Sequence, residues 1–203
     1  MHFRHINKYW FLPLLALLCI GWAGSWEELK STAGTVNSVR AEFIQEKHLA
    51  ILAKPLISEG VFYYQAPRSL RWQYSRPVES VLLMHDGNIK RYVKRSTGFE
   101  EENNAGLEAM QVVLDQITQW MMGRFDESPM FNAHLEEAGR ITMTPKDEAF
   151  KAIIQRIEIN LAKRPGVIED VVIYEGQDAY TRMRFINTTL NGKIDDAVFR
   201  KVP

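Results

Sequence analysis

The sequence predicts a mainly β protein of the α+β class, in which about ten strands form a strongly curved antiparallel sheet wrapped round helices. Three observations lead there. From Val39 onward, apolar residues recur at every second position in short runs. Pro, Pro-Gly and Asp-Gly turns join those runs, and only two segments carry apolar residues at helical spacing.

Trp26, Leu29, Ala33 and Val36 step by three and four, so a short amphipathic helix is expected to end near Asn37. Val39, Ala41 and Phe43 then alternate with Arg40, Glu42 and Ile44 in a first strand. Pro55 opens a second, Leu56 to Tyr64, with Ser58, Gly60, Phe62 and Tyr64 on one face; Leu70, Trp72 and Tyr74 mark a third. After Arg76-Pro77 a fourth runs from Ser80 to His85, and Asp86-Gly87 turns it into a fifth, Ile89 to Val93. Links this short make neighbours pair antiparallel.

Glu100 to Glu102 with Asn103 and Asn104 read as a polar loop. Beyond it Met110, Val113, Leu114, Ile117, Trp120 and Met121 keep helical spacing up to Gly123, with Asn104 as a cap and Glu108 suited to the helix dipole. Strands return at Phe131 to Glu136 and Arg140 to Thr144. Ile153, Ile157, Ile159 and Leu161 alternate with Arg156, Glu158 and Asn160 in the clearest half-buried strand. Pro165-Gly166 turns it into Val167 to Tyr174, Gly176-Gln177-Asp178 turns that into Ala179 to Thr188, and Ala197 to Val202 is expected to close the set.

A curled sheet of about ten strands encloses more room than its own side chains fill. The inserted helix is the natural plug or lid, and its stripe contains Met110 and Met121, whose flexible thioethers adapt to irregular apolar shapes. Plain core packing of that stripe fits the same spacing.

Residues 1–23 read as a signal peptide, with Arg4 and Lys8 ahead of the apolar Tyr9 to Ile20 and small residues at Gly21 and Ala23. The apolar run is short of the roughly 20 residues of a membrane-crossing helix. The only cysteine, Cys19, follows Leu18 rather than a small residue, which argues against lipid modification there. Export places the remaining single domain, 24–203, in the periplasm, without a disulfide framework or thiolate site. The full chain balances 25 basic against 25 acidic residues, and loss of the leader leaves 23 against 25, which gives no reason to expect a nucleic-acid partner. No zinc-protease, nucleophile-elbow or phosphate-loop motif is present, and His48, His85 and His134 fall on separate strands or their ends, so neither an enzyme nor a metal or cofactor site is expected.

The order of Phe43-x-Gln45, Ser58-x-Gly60, Pro67-x-x-x-x-Trp72, Pro77-x-Glu79-Ser80, Asp86-Gly87 and a closing IDDAVFRKVP resembles the periplasmic outer-membrane lipoprotein carriers of the LolA family, from Val39 to Pro203. The resemblance implies an unclosed β-barrel with helices as a lid over an apolar cavity. It implies a monomeric, non-enzymatic carrier that takes lipid-modified proteins from an inner-membrane ABC-type donor and hands them to an outer-membrane acceptor. The cavity is expected to be lined by Phe62, Tyr64, Leu70 and Trp72 and by the helix face Met110, Val113, Leu114, Ile117 and Met121, although strand parity does not say which face is concave. Lys90, Arg91, Lys94 and Arg95 form a basic cluster that fits either a solvated strand face or a docking patch for an acidic partner. Where the family places a lid arginine, directly before the third-strand proline, this chain has Ala66, and Arg68 and Arg71 follow it. That departure, and a chain that stops at Pro203 where better-known carriers continue, leave room for a glycolipid or polyene cargo, or for a membrane-anchored acceptor of the same fold.

Overall fold

The computed structural model describes residues 25–102, 106–136, 139–164, 166–176 and 178–202, with side chains of the inserted helix described from 111 onward. The expected signal peptide and Asn104 cap, the side chains of Glu108 and Met110, and Pro165 and Gln177 of two turns lie outside the described residues.

Eleven strands form one antiparallel sheet. They are β1 (Ser38–His48), β2 (Leu56–Gln65), β3 (Ser69–Arg76), β4 (Ser80–His85), β5 (Asn88–Arg95) and β6 (Gly98–Glu101), then β7 (Phe131–Leu135), β8 (Arg140–Pro145), β9 (Arg156–Leu161), β10 (Ile168–Tyr174) and β11 (Tyr180–Leu190). Their order is β6-β5-β4-β3-β2-β1-β11-β10-β9-β8-β7, so the chain builds outward from β1, crosses over through one helix, and builds back to β1. β6 and β7 are the two edges, and the curved sheet is an unclosed barrel. Among the described residues three α-helices accompany it: α1 (Trp26–Ala33), the inserted α2 (Gly106–Met121) and the one-turn α3 (Glu148–Lys151).

Local chemistry explains these elements. Asp86 and Gly87 both have positive φ, 51° and 81°, so His85 pairs with Asn88 across a two-residue turn that suits the twist of a hairpin. Gly60 sits where the β2–β3 register shifts; a Cβ there would fall 1.9 Å from the Gln73 carbonyl oxygen and 2.6 Å from Phe43 Cζ. Ser25 Oγ accepts from the Glu28 N–H at 3.2 Å and starts α1. Gly123, at φ 73°, ends α2 against α1, since a Cβ would lie 2.8 Å from the Leu29 carbonyl oxygen.

Four expectations are corrected. The first helix stops at Ala33 instead of near Asn37, because Gly34, Thr35 and Val36 turn back onto carbonyls of its last residues. The acidic run begins in a strand: β6 pairs Glu100 with Val93 and Glu101 with Tyr92, where facing cations offset the carboxylates. Ile153 lies outside β9, in the turn after α3, whose N-cap Asp147 accepts from the N–H groups of Ala149 and Phe150. Ala197 to Val202 is no strand; Asp195 caps a 3-10 turn, Asp196–Phe199, and the buried Arg71 of β3 donates to the Val198 and Lys201 carbonyl oxygens at 2.8 and 2.7 Å.

Two buried clusters flank a space. One gathers Phe43, Phe62, Tyr64, Leu70, Met84 and Leu114, the other Phe125, Phe131, Ile141, Met143, Ile157 and Ile159. Between them the concave face is not filled.

Candidate functional site: an apolar cavity under the inserted helix

The concave face of the sheet and one side of α2 enclose a cavity of about 740 Å3, a size at which small-molecule sites of roughly 300–1,000 Å3 are found. Its wall follows strand parity. Val39, Ala41 and Gln45 of β1, Val171 and Ile173 of β10, and Thr181, Met183 and Phe185 of β11 all line it, each from the same side of its strand. Cross-strand register sets Phe62 opposite Trp72, with ring centroids 5.4 Å apart and edge-to-face, and Phe185 meets Phe62 at 6.1 Å. Behind them Phe43 packs on Trp72 and Tyr74 at 5.6 and 5.2 Å.

α2 covers this wall with Leu114, Ile117, Trp120 and Met121, while Val112 and Val113 line the cavity at its mouth and remain exposed. The helix is fastened at Gln116. Buried Ser128 Oγ donates to Gln116 Oε1 at 2.5 Å and accepts from the N–H groups of Met130 and Phe131. Lys146 Nζ donates to the Ser128 carbonyl oxygen at 2.9 Å. One residue before Gln116, half-buried Asp115 meets Arg68 Nη2 at 3.2 Å.

The charged groups on the wall are few and each is paired, whereas the buried indole N–H groups of Trp72 and Trp120 have no partner among the described residues. Tyr74 donates to Gln45 Oε1 at 2.8 Å. Burial raises the Tyr74 phenol above its usual range, and the charge of Arg91 pulls it partly back. Glu175 is held by Lys47 at 3.0 Å, Arg76 by Glu59 at 2.7 Å and Arg91 by Glu102 at 3.4 Å. An apolar hollow rimmed by neutralised charges suits a greasy ligand and offers little grip for a charged one.

The family model of the outer membrane lipoprotein carrier protein LolA matches residues 34–201, which span the whole sheet. The chain belongs to the LolA family. No curated protein sequence matches it. Among solved structures it is similar to a LolA superfamily protein from Nitrosomonas europaea, at 8% identity over 88% of this chain and 99% of that one, TM-score 0.44. A DUF1329 family protein from Desulfovibrio piger is similar at 10% identity over 86% and 95%, TM-score 0.47. A putative outer membrane lipoprotein-sorting protein domain from Vibrio parahaemolyticus is similar at 9% identity over 85% and 93%, TM-score 0.42.

In this LolA-family chain Phe62, Trp72, Val113, Leu114, Ile117 and Met121 meet round the cavity. Tyr64 and Leu70 share strand faces with Phe62 and Trp72 but sit farther along, fully buried in the first core cluster instead of on the wall. The wall given by β10 and β11 was missing from the sequence-based set. Alternation marks Val171, Ile173, Met183 and Phe185 as one-sided, yet nothing in the alternation tells concave from convex.

The basic cluster is neutralised within the chain. Lys90 pairs with Glu101, Arg91 and Arg95 with Glu102, and Lys94 with Glu79. Arg68 reaches α2, whereas Arg71 faces away from the cavity and holds the C-terminal segment. Among the described residues no group of three or more His, Cys, Asp or Glu is placed to hold a metal ion. His48 stacks on Tyr180 at 4.2 Å, and His85 Nδ1 lies 2.8 Å from Ser69 Oγ, away from the cavity wall.

Proposed function

We propose that this protein is a periplasmic carrier that shields the acyl chains of lipoproteins, or of a related lipid, and shuttles them from the inner to the outer membrane. The single observation that carries the reading is the apolar cavity of about 740 Å3 between sheet and α2. Exposing an acyl chain of about 16 carbons to water costs on the order of 10 kcal/mol, at ~0.8 kcal/mol per methylene. A shuttle through an aqueous compartment must therefore offer such a hollow and still release its load. Aromatic edges and the thioethers of Met121 and Met183 give contacts that adjust without fixed polar grips. The chain's membership of a carrier family agrees with this role. An inner-membrane donor and an outer-membrane acceptor follow as partners.

The test is release. Purified protein is added to spheroplasts carrying newly made lipoproteins, and the soluble fraction is probed for complexes. Soluble lipoprotein bound to the protein is the expected result. A folded protein that releases none while extracting other lipids would move the cargo to a glycolipid or polyene.

A further inference from the structure

We propose that the β1–β2 hairpin tip is a membrane-contact element that inserts into the interfacial layer of a lipid bilayer and sets the cavity mouth against it. Hairpin tips normally carry Gly, Asn, Asp, Ser or Pro. Here the tip and its flanks, Leu49 to Ile57, read LAILAKPLI. The Leu52 N–H donates to the Leu49 carbonyl oxygen at 2.9 Å, so the turn is ordered and holds Ala50 and Ile51 at its apex. Ile51 is 89% exposed, and Leu52, Leu56 and Ile57 are exposed beside it.

The position matters as much as the composition. Gln45 and Ser58, a paired couple on β1 and β2, both line the cavity, and Leu56 continues the face of Ser58 outward toward the tip. Val78, in the turn after β3 at the same end of the sheet, also lines the cavity and is 58% exposed, and Val112 and Val113 of α2 are exposed lining residues as well. Of the exposed large apolar side chains, four stand on this tip segment and three line the cavity. Lys54, the one charged residue of the tip segment, is exposed and has a stem long enough to reach headgroups while its neighbours sit deeper.

A bilayer fits this tip better than a protein partner does. A stable protein interface takes roughly 800 Å2 and 20–30 residues per side, whereas a protruding turn offers four large apolar side chains and no groove. Such a turn suits a fluid apolar phase, which needs no matching pocket. Insertion stands independently of the cavity reading; its role in passing cargo across the mouth rests on that reading.

The test places the polarity-sensitive fluorophore NBD on Ile51→Cys, in a chain also carrying Cys19→Ser. Vesicles of phosphatidylethanolamine and phosphatidylglycerol, some lipids bearing a doxyl quencher, are then added. Insertion predicts brighter, blue-shifted emission that the doxyl groups quench, while the same label on Ile186→Cys, on the convex face of β11, keeps its aqueous emission. A label on Ile51→Cys that keeps its aqueous emission in excess vesicles overturns the proposal and leaves the tip to a protein partner. In a second arm, Ile51→Asp with Leu52→Asp should slow transfer of cis-parinaric acid from vesicles to the protein by about tenfold or more, with binding of the same acid added from solution unchanged. Unslowed transfer contradicts the proposal. Should the parent chain bind no parinaric acid at all, the cavity reading fails while the label result still decides insertion.

Discussion

At Gly60 a single hydrogen in place of a side chain lets β2 pass over the Phe43 ring and beside the Gln73 carbonyl. Gly60→Ala forces one of the two aside and should cost about 3 kcal/mol, read as a lower midpoint in urea unfolding. Arg71 is a second fixed point. It is 5% exposed, burial lowers its pKa, and its guanidinium satisfies two carbonyl groups of the C-terminal segment and Gln73. Arg71→Met should cost about 2–4 kcal/mol and open the C-terminal segment to proteolysis, checked by urea unfolding and limited digestion. Tyr64 and Tyr74 carry a pH signature, because burial raises both phenols. A raised folded pKa means the native state holds these protons more tightly than the unfolded chain, whose tyrosines titrate near 10. Their contribution is therefore complete below about pH 10 and lost as pH climbs through the raised values. Phenolate absorbance should show a late-titrating set that shrinks in Tyr74→Phe. Residue patterns alone pointed to Phe62 and Trp72, since alternation puts them on one-sided strands. The depth at which Tyr64 and Leu70 sit depends on where α2 and β1 close over them, which no local pattern states.

Among the elements, α2 decides what the cavity is. Its second half is held through Gln116 to Ser128 and at Gly123 against α1, and its first half carries the exposed lining residues Val112 and Val113. Ser128→Ala leaves Gln116 and two N–H groups without their partner and should cost about 1–3 kcal/mol in urea unfolding. Ile117 faces the cavity, whereas Leu114 is buried in the core as well, so Ile117 is the cleaner probe. Ile117→Asp should weaken fatty-acid binding by about tenfold or more by setting a carboxylate against the apolar wall, with far-ultraviolet circular dichroism unchanged. Period and turn chemistry made α2 and ten of the eleven strands legible. β6 escaped because its carboxylates look like loop until the facing cations of β5 are seen. The C-terminal 3-10 turn escaped because its apolar residues serve a cap and a buried arginine rather than a ladder.

For the whole molecule, an eleven-stranded sheet that stops short of closure leaves a concave face which two separate core clusters do not fill. The strand count predicted a hollow. Its lining on the β10–β11 side emerged only once register and curvature had fixed which face turns inward. That hollow is the proposed binding site for acyl chains. The most direct measurement titrates cis-parinaric acid into the folded protein and competes it with palmitate, beside Ile117→Asp and a second wall variant, Met183→Lys. Saturable binding of the probe, displaced by palmitate and weakened in both variants, is the predicted result. A folded protein that binds no probe, or binds it equally well in both variants, would contradict the claim that the cavity under α2 holds the lipid.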